Sequence, residues 1–177
     1  MSARVEPVST PARTGVWVGI AAITLMFAAF TGAMVVRRTE ADWLHFRLPP
    51  ILYVNTLVLL VSSATLERAR GRLETGTQWL AITLGLGLLF VLGQILAWRN
   101  LAAQGLFLST SPSSAFFYVF TAVHGAHLLG GVAALAYVLG RARRANTFAG
   151  ALDAAALYWH FLAALWLGLL LLLTLRL

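Results

Sequence analysis

Phe116-Phe117-Tyr118-Val119-Phe120-Thr121-Ala122-Val123-His124-Gly125-Ala126-His127-Leu128-Leu129-Gly130-Gly131 is an apolar run that contains two histidines. Followed outward, from about Ala115 to Leu139, it meets no charged side chain. About 20 apolar residues of helix cross a hydrocarbon core of ~30 Å, so this stretch reads as a spanning helix. Four more runs of the same kind cover about residues 15–36, 49–66, 78–98 and 152–174. The expected fold is therefore an all-α integral membrane protein. It is one five-transmembrane-helix bundle over residues 15–177, preceded by a flexible cytoplasmic tail at 1–14.

Composition agrees. Hydrophobic residues make up 60% of the 177 positions and charged residues 11%, where soluble domains carry about 25% charge. There is no cysteine, which excludes disulfides, thiolate metal sites and covalently attached c-type haem. The net charge is +7 and every basic side chain is arginine. The arginines are spread through the segments between spans, which speaks for membrane topology and against a nucleic-acid partner. Arg4, Arg13, Arg68, Arg70, Arg72, Arg141, Arg143 and Arg144 fall on one side, and Arg37, Arg38, Arg47, Arg99 and Arg176 on the other. The positive-inside rule then puts the N-terminus in the cytoplasm and the C-terminus outside. The first apolar run exceeds the length of a signal-peptide core and is stopped by Arg37-Arg38, so it is expected to stay in the mature protein. The first loop, Arg37 to Leu48, mixes charges with Trp43, His45 and Phe46, a composition suited to the headgroup layer.

Polar side chains inside the spans must face other helices or a cavity, because hydrocarbon offers them no partner. Asn55 and Ser62, and likewise Thr56 and Ser63, are seven residues apart, so the four form one stripe, suited to interhelical hydrogen bonds or to a proton path. Gln94 shares a face with Gly87, a packing arrangement. No carboxylate lies deep in a span, which weakens a proton-pump reading of this chain. His124 and His127 are neighbours at i and i+3, but two imidazoles are at best half a metal site. Either could pair with His160 across a haem, the arrangement of a stand-alone haem b cytochrome. Otherwise each imidazole is expected to bond an acceptor on a neighbouring helix, with Ala126 and Gly130 as a close-contact small-residue seam. Asp153 and His160 share a face of the last span and suit a polar-anchored helix contact, and Tyr158 lies beside them. Trp159 and Trp166 share another, either a packing ridge or a surface for a partner.

Three stretches in order resemble subunit III of the haem-copper oxidases, the cytochrome c and quinol oxidase family. They are Pro50 to Asn55-Thr56 with Ser62-Ser63-Ala64-Thr65, Phe116-Phe117 through His124-Gly125-Ala126-His127 to Gly130-Gly131, and Asp153 through Tyr158-Trp159-His160-Phe161 to Trp166-Leu167. The similarity covers about residues 48–175, and five spans match the shorter bacterial forms, which lack the first two of seven helices. It departs at Pro50, where mitochondrial-type members hold a glutamate, at Ala97-Trp98 after Gln94, where the family often has Glu-Trp or Glu-Tyr, and at Ala163, where many carry aspartate.

The resemblance implies an accessory, non-catalytic subunit without its own cofactor or metal, in a bacterial plasma membrane. It would pack on subunit I, which holds the haems and copper, in a complex that includes subunit II, and it would contact phospholipid. The related subunit that accompanies nitric oxide reductase is the close variant of this expectation.

Overall fold

The computed structural model describes residues 10–71, 75–144 and 149–176. Within them the chain forms five helices: α1 (Thr10–Arg37), α2 (Ile51–Gly71), α3 (Gly76–Ala103), α4 (Pro112–Arg144) and α5 (Ala149–Arg176). All five are long and apolar enough to cross a membrane, and no strand occurs among the described residues. Each helix overruns its apolar core, because backbone hydrogen bonding continues into the polar flank where side chains can reach water. The stretch Glu67 to Gly71 thus completes α2 rather than forming a loop. At the N-terminus α1 already begins at Thr10, inside the segment expected to be tail, while residues 1–9 lie outside the described residues.

Helices α2, α3, α4 and α5 form a ring in which each packs on two others, and α1 lies outside it against α4 and α5. The interior is close-packed. Trp159, Trp166, Phe90, Phe117, Phe120 and Leu52 are all fully buried. The outward surface is the reverse, with Leu57, Leu60, Leu88, Leu92, Ile95, Leu129 and Leu171 each more than 40% exposed. In water such a surface would drive aggregation, whereas in hydrocarbon it meets an equal solvent.

The ends of the helices are set by local chemistry. At α4, Ser111 precedes Pro112, whose missing N–H costs nothing in a first turn. The Ser111 and Ser114 hydroxyls each accept the other's backbone N–H, at 3.2 and 3.1 Å, a reciprocal cap. The preceding turn needs Gly105, whose φ of 78° lies in the left-handed region. There the N–H of Leu106 donates to the Leu101 carbonyl at 3.1 Å and that of Gly105 to Ala102 at 3.0 Å, closing α3.

The first loop is folded onto the bundle. Trp43 is buried beside Phe116 and Phe46 stands edge-on to Phe117, with ring centroids 6.1 and 6.3 Å apart. These two rings therefore pack on α4 instead of lying free among headgroups. Arg37 grips Asp42 with two hydrogen bonds of 2.8 and 2.6 Å, which hold the Asp42 carboxyl below the usual carboxylate range. The clasp is consequently intact at neutral pH and released only as acid protonates that carboxylate through its lowered pKa.

Candidate functional site

The sequence motifs converge on the inside of the ring. On α2, Asn55 is buried and its side-chain amide donates to the Phe90 carbonyl of α3 at 3.0 Å. It reaches that carbonyl because Gly93 has no side chain: a Cβ there would lie 2.6 Å from the Asn55 Cγ. Thr56 and Ser62 turn toward α5. The Trp166 indole N–H donates to the Thr56 hydroxyl at 2.9 Å and that of Trp159 to the Ser62 hydroxyl at 3.1 Å. Since α5 runs antiparallel to α2, the indoles seven residues apart meet hydroxyls six residues apart. The resulting two-rung ladder joins helices more than ninety residues apart in sequence.

The expected four-residue stripe is therefore divided. Asn55 faces α3, Thr56 and Ser62 face α5, and the half-buried Ser63 hydroxyl has no hydrogen-bond partner among the described residues. Seven residues of an ideal helix return about 20° short of a full turn, and antiparallel neighbours on both sides divide the stripe between them. The tryptophans are resolved as a packing ridge. Both are fully buried, and Trp159 lies against the glycines of two helices. A Cβ on Gly87 would stand 2.6 Å from the Trp159 Cη2, and one on Gly131 would stand 3.2 Å from its Cε3. Close contact thus runs through Gly87 and Gly131. Ala126 and Gly130, expected to form the small-residue seam, are both exposed, so that expectation is corrected.

The histidines also depart from expectation. His127 donates from Nδ1 to the Val123 carbonyl of its own helix at 2.8 Å, and its ring lies 6.2 Å from Phe27 of α1. From α5, Tyr158 donates to the His127 carbonyl at 3.3 Å. His124 is fully buried with its ring centroid 5.1 Å from Trp166 and 6.1 Å from Phe90. Neither ring nitrogen has a hydrogen-bond partner among the described residues, and the same holds for both amide atoms of buried Gln94. His124 thus behaves as one ring of an aromatic cluster. A phenylalanine of similar shape would remove the unpaired nitrogens, so His124→Phe is expected to leave thermal stability in detergent unchanged or raise it. A loss above about 1 kcal/mol would mean that the imidazole is hydrogen-bonded inside the bundle.

His160 and Asp153 do form a polar anchor, at the end of the bundle. His160 Nε2 donates to Glu67 at 2.6 Å, Arg70 bonds the same carboxylate at 2.8 Å, and Arg70 reaches Asp153 at 2.8 Å. With Arg13 of α1, these groups line a cavity of about 230 Å³. His160 is therefore committed to α2, away from the arrangement that would place it across a haem from His124 or His127. No group of three or more metal-ligating side chains occurs among the described residues.

Sequence reasoning missed several ties that hold the ring. The Trp98 indole donates to Thr121 at 2.9 Å, the Tyr118 hydroxyl donates to the Leu106 carbonyl at 2.8 Å, and the Thr65 and Thr83 hydroxyls meet at 2.8 Å. A buried indole or phenol needs a partner, so each tryptophan and tyrosine within a span was the available signal. Gly93 was missed because its role depends on which α2 side chain faces it.

Residues 44–175 match the model of the family described as cytochrome c oxidase subunit III. The probable cytochrome c oxidase subunit 3 of Mycobacterium leprae is 31% identical over 190 residues, covering 96% of this chain and 91% of that protein. The Mycobacterium tuberculosis protein of the same description is 35% identical over 122 residues, covering 64% of this chain and 60% of its own length. The cytochrome c oxidase subunit 3 of Alkalihalophilus pseudofirmus is 30% identical over 168 residues, covering 86% and 80%. Against the most similar mycobacterial relatives, the chain thus spans about three-fifths of the relative's length.

Proposed function

This chain belongs to the cytochrome c oxidase subunit III family, and on that premise we propose that it is the accessory, non-catalytic third subunit of a bacterial haem-copper terminal oxidase. It packs on subunit I, in a complex that includes subunit II, and the haems and copper reside in those partners. The observation that supports this most is how the motif residues are used. Asn55, Thr56, Ser62, Trp159 and Trp166 are spent on bonds between helices, and His160 and Asp153 on an ion-pair cluster.

The bundle sits in the plasma membrane with its N-terminus in the cytoplasm. That orientation places the Glu67–Arg70–Asp153–His160 cluster on the cytoplasmic side, together with the arginine-richer segments. The exposed leucines and valines of the exterior are shared between phospholipid and subunit I.

Purification of a tagged chain from its native membrane in mild detergent tests this reading. The expected result is near-stoichiometric recovery of larger chains that carry haem and copper. A chain that purifies alone, with a Soret band of its own that His160→Ala abolishes, would overturn it in favour of a stand-alone cytochrome.

A further inference from the structure

At the end of the bundle opposite the ion-pair cluster, the first loop, the start of α2 and the last turns of α5 enclose an open groove of about 590 Å³. That volume lies within the range of small-molecule sites. Phe46, Leu48 and Leu173 form its apolar floor, and His45, Arg47 and Tyr53 its polar rim. None of the rim groups has a hydrogen bond or ion pair within the described chain, and no acidic side chain lines the groove. The one ion pair of the same loop, Asp42 with Arg37, uses up its carboxylate elsewhere.

The position matters as much as the chemistry. The apolar span of α2 begins at Ile51 and that of α5 ends at Leu175, so groove and rim stand at the level where hydrocarbon gives way to water. Arginine at that depth pairs with phosphate in a forked geometry, and a tyrosine hydroxyl beside it adds a neutral donor. The leucines and phenylalanine below continue onto the acyl-chain surface of the bundle.

From this arrangement we propose that the groove is a binding site for an anionic phospholipid. The headgroup phosphate is held by Arg47, Tyr53 and His45, and one acyl chain lies over Phe46, Leu48 and Leu173. The site is separate from the motifs inside the ring, and it requires only that the helix ends mark the membrane boundary. It therefore stands or falls independently of the subunit reading.

The test uses the detergent-purified chain with whatever subunits accompany it. Native mass spectrometry counts retained phospholipid, and thermal melts are recorded with added phosphatidylglycerol, phosphatidylcholine or glycerol phosphate. The variants are Arg47→Gln and Tyr53→Phe, with Arg38→Gln as a control at the same end but outside the groove. Phosphatidylglycerol is expected to raise the melting temperature more than phosphatidylcholine does, and glycerol phosphate to have no effect. Arg47→Gln should cut phosphatidylglycerol retention by about fivefold, Tyr53→Phe by less, and Arg38→Gln should leave it unchanged. Equal responses to both lipids, unchanged retention in Arg47→Gln, or protection by glycerol phosphate alone would each overturn the proposal. So would loss of a co-purifying subunit from Arg47→Gln while its lipid is retained, which would assign the groove to a protein contact.

Discussion

Trp159→Ala is expected to cost about 3–5 kcal/mol of bundle stability, read as a large fall in the thermal midpoint of the detergent-purified protein. The indole is fully buried and occupies the space left by Gly87 of α3 and Gly131 of α4, while its N–H reaches Ser62 of α2. Removing it leaves a cavity at the meeting point of four helices. The surrounding backbone is fixed by the Trp166–Thr56 and Asn55–Phe90 bonds on either side and cannot collapse to fill it. Packing accounts for most of the effect, because an interhelical hydrogen bond in a membrane bundle averages only ~0.6 kcal/mol. Ser62→Ala, which deletes that bond and keeps the ring, should therefore lose less than about 1 kcal/mol. If the two variants melted alike, the ring would not be the keystone that its contacts make it.

That contrast shows what was legible in the sequence. The five spans follow from uninterrupted apolar runs, a pattern set by the thickness of a bilayer and independent of tertiary detail. Which polar residues lie inside the ring was equally readable, since hydrocarbon leaves them nowhere else to go. Asn55, Thr56, Ser62, Gln94 and His124 are all buried. Their partners were less readable, because a partner depends on the rotation of one helix about its axis relative to another. A shift of one residue turns a side chain by ~100°. Thus the spacing of His124 and His127 correctly made them neighbours, yet His124 stacks on Trp166 while His127 bonds its own helix. The Asp153–His160 face was better specified. Few charged groups sit at that end, and Glu67 and Arg70 on α2 are among the few available to meet it.

Asn55 and Gly93 offer the sharpest test of how α2 is held against α3. Gly93→Ala would drive a methyl group into the Asn55 carboxamide, forcing it off the Phe90 carbonyl and displacing α2. The expected loss is about 2 kcal/mol, the usual scale for forcing extra volume into a packed core. Asn55→Ala alone removes the hydrogen bond and leaves a small gap beside the glycine, a loss of roughly 1 kcal/mol. The double variant should not sum the two. The alanine methyl at 93 would occupy part of the space vacated by the amide, so the pair is expected to be more stable than Gly93→Ala by itself. A double-mutant cycle on thermal or denaturant unfolding reads the coupling directly. Additive losses would mean that the glycine is needed for its backbone and not for the side chain that lies over it. Coupling of the predicted sign would identify the α2–α3 seam as a fitted pair, in which a polar side chain on one helix requires the absence of a side chain on the other.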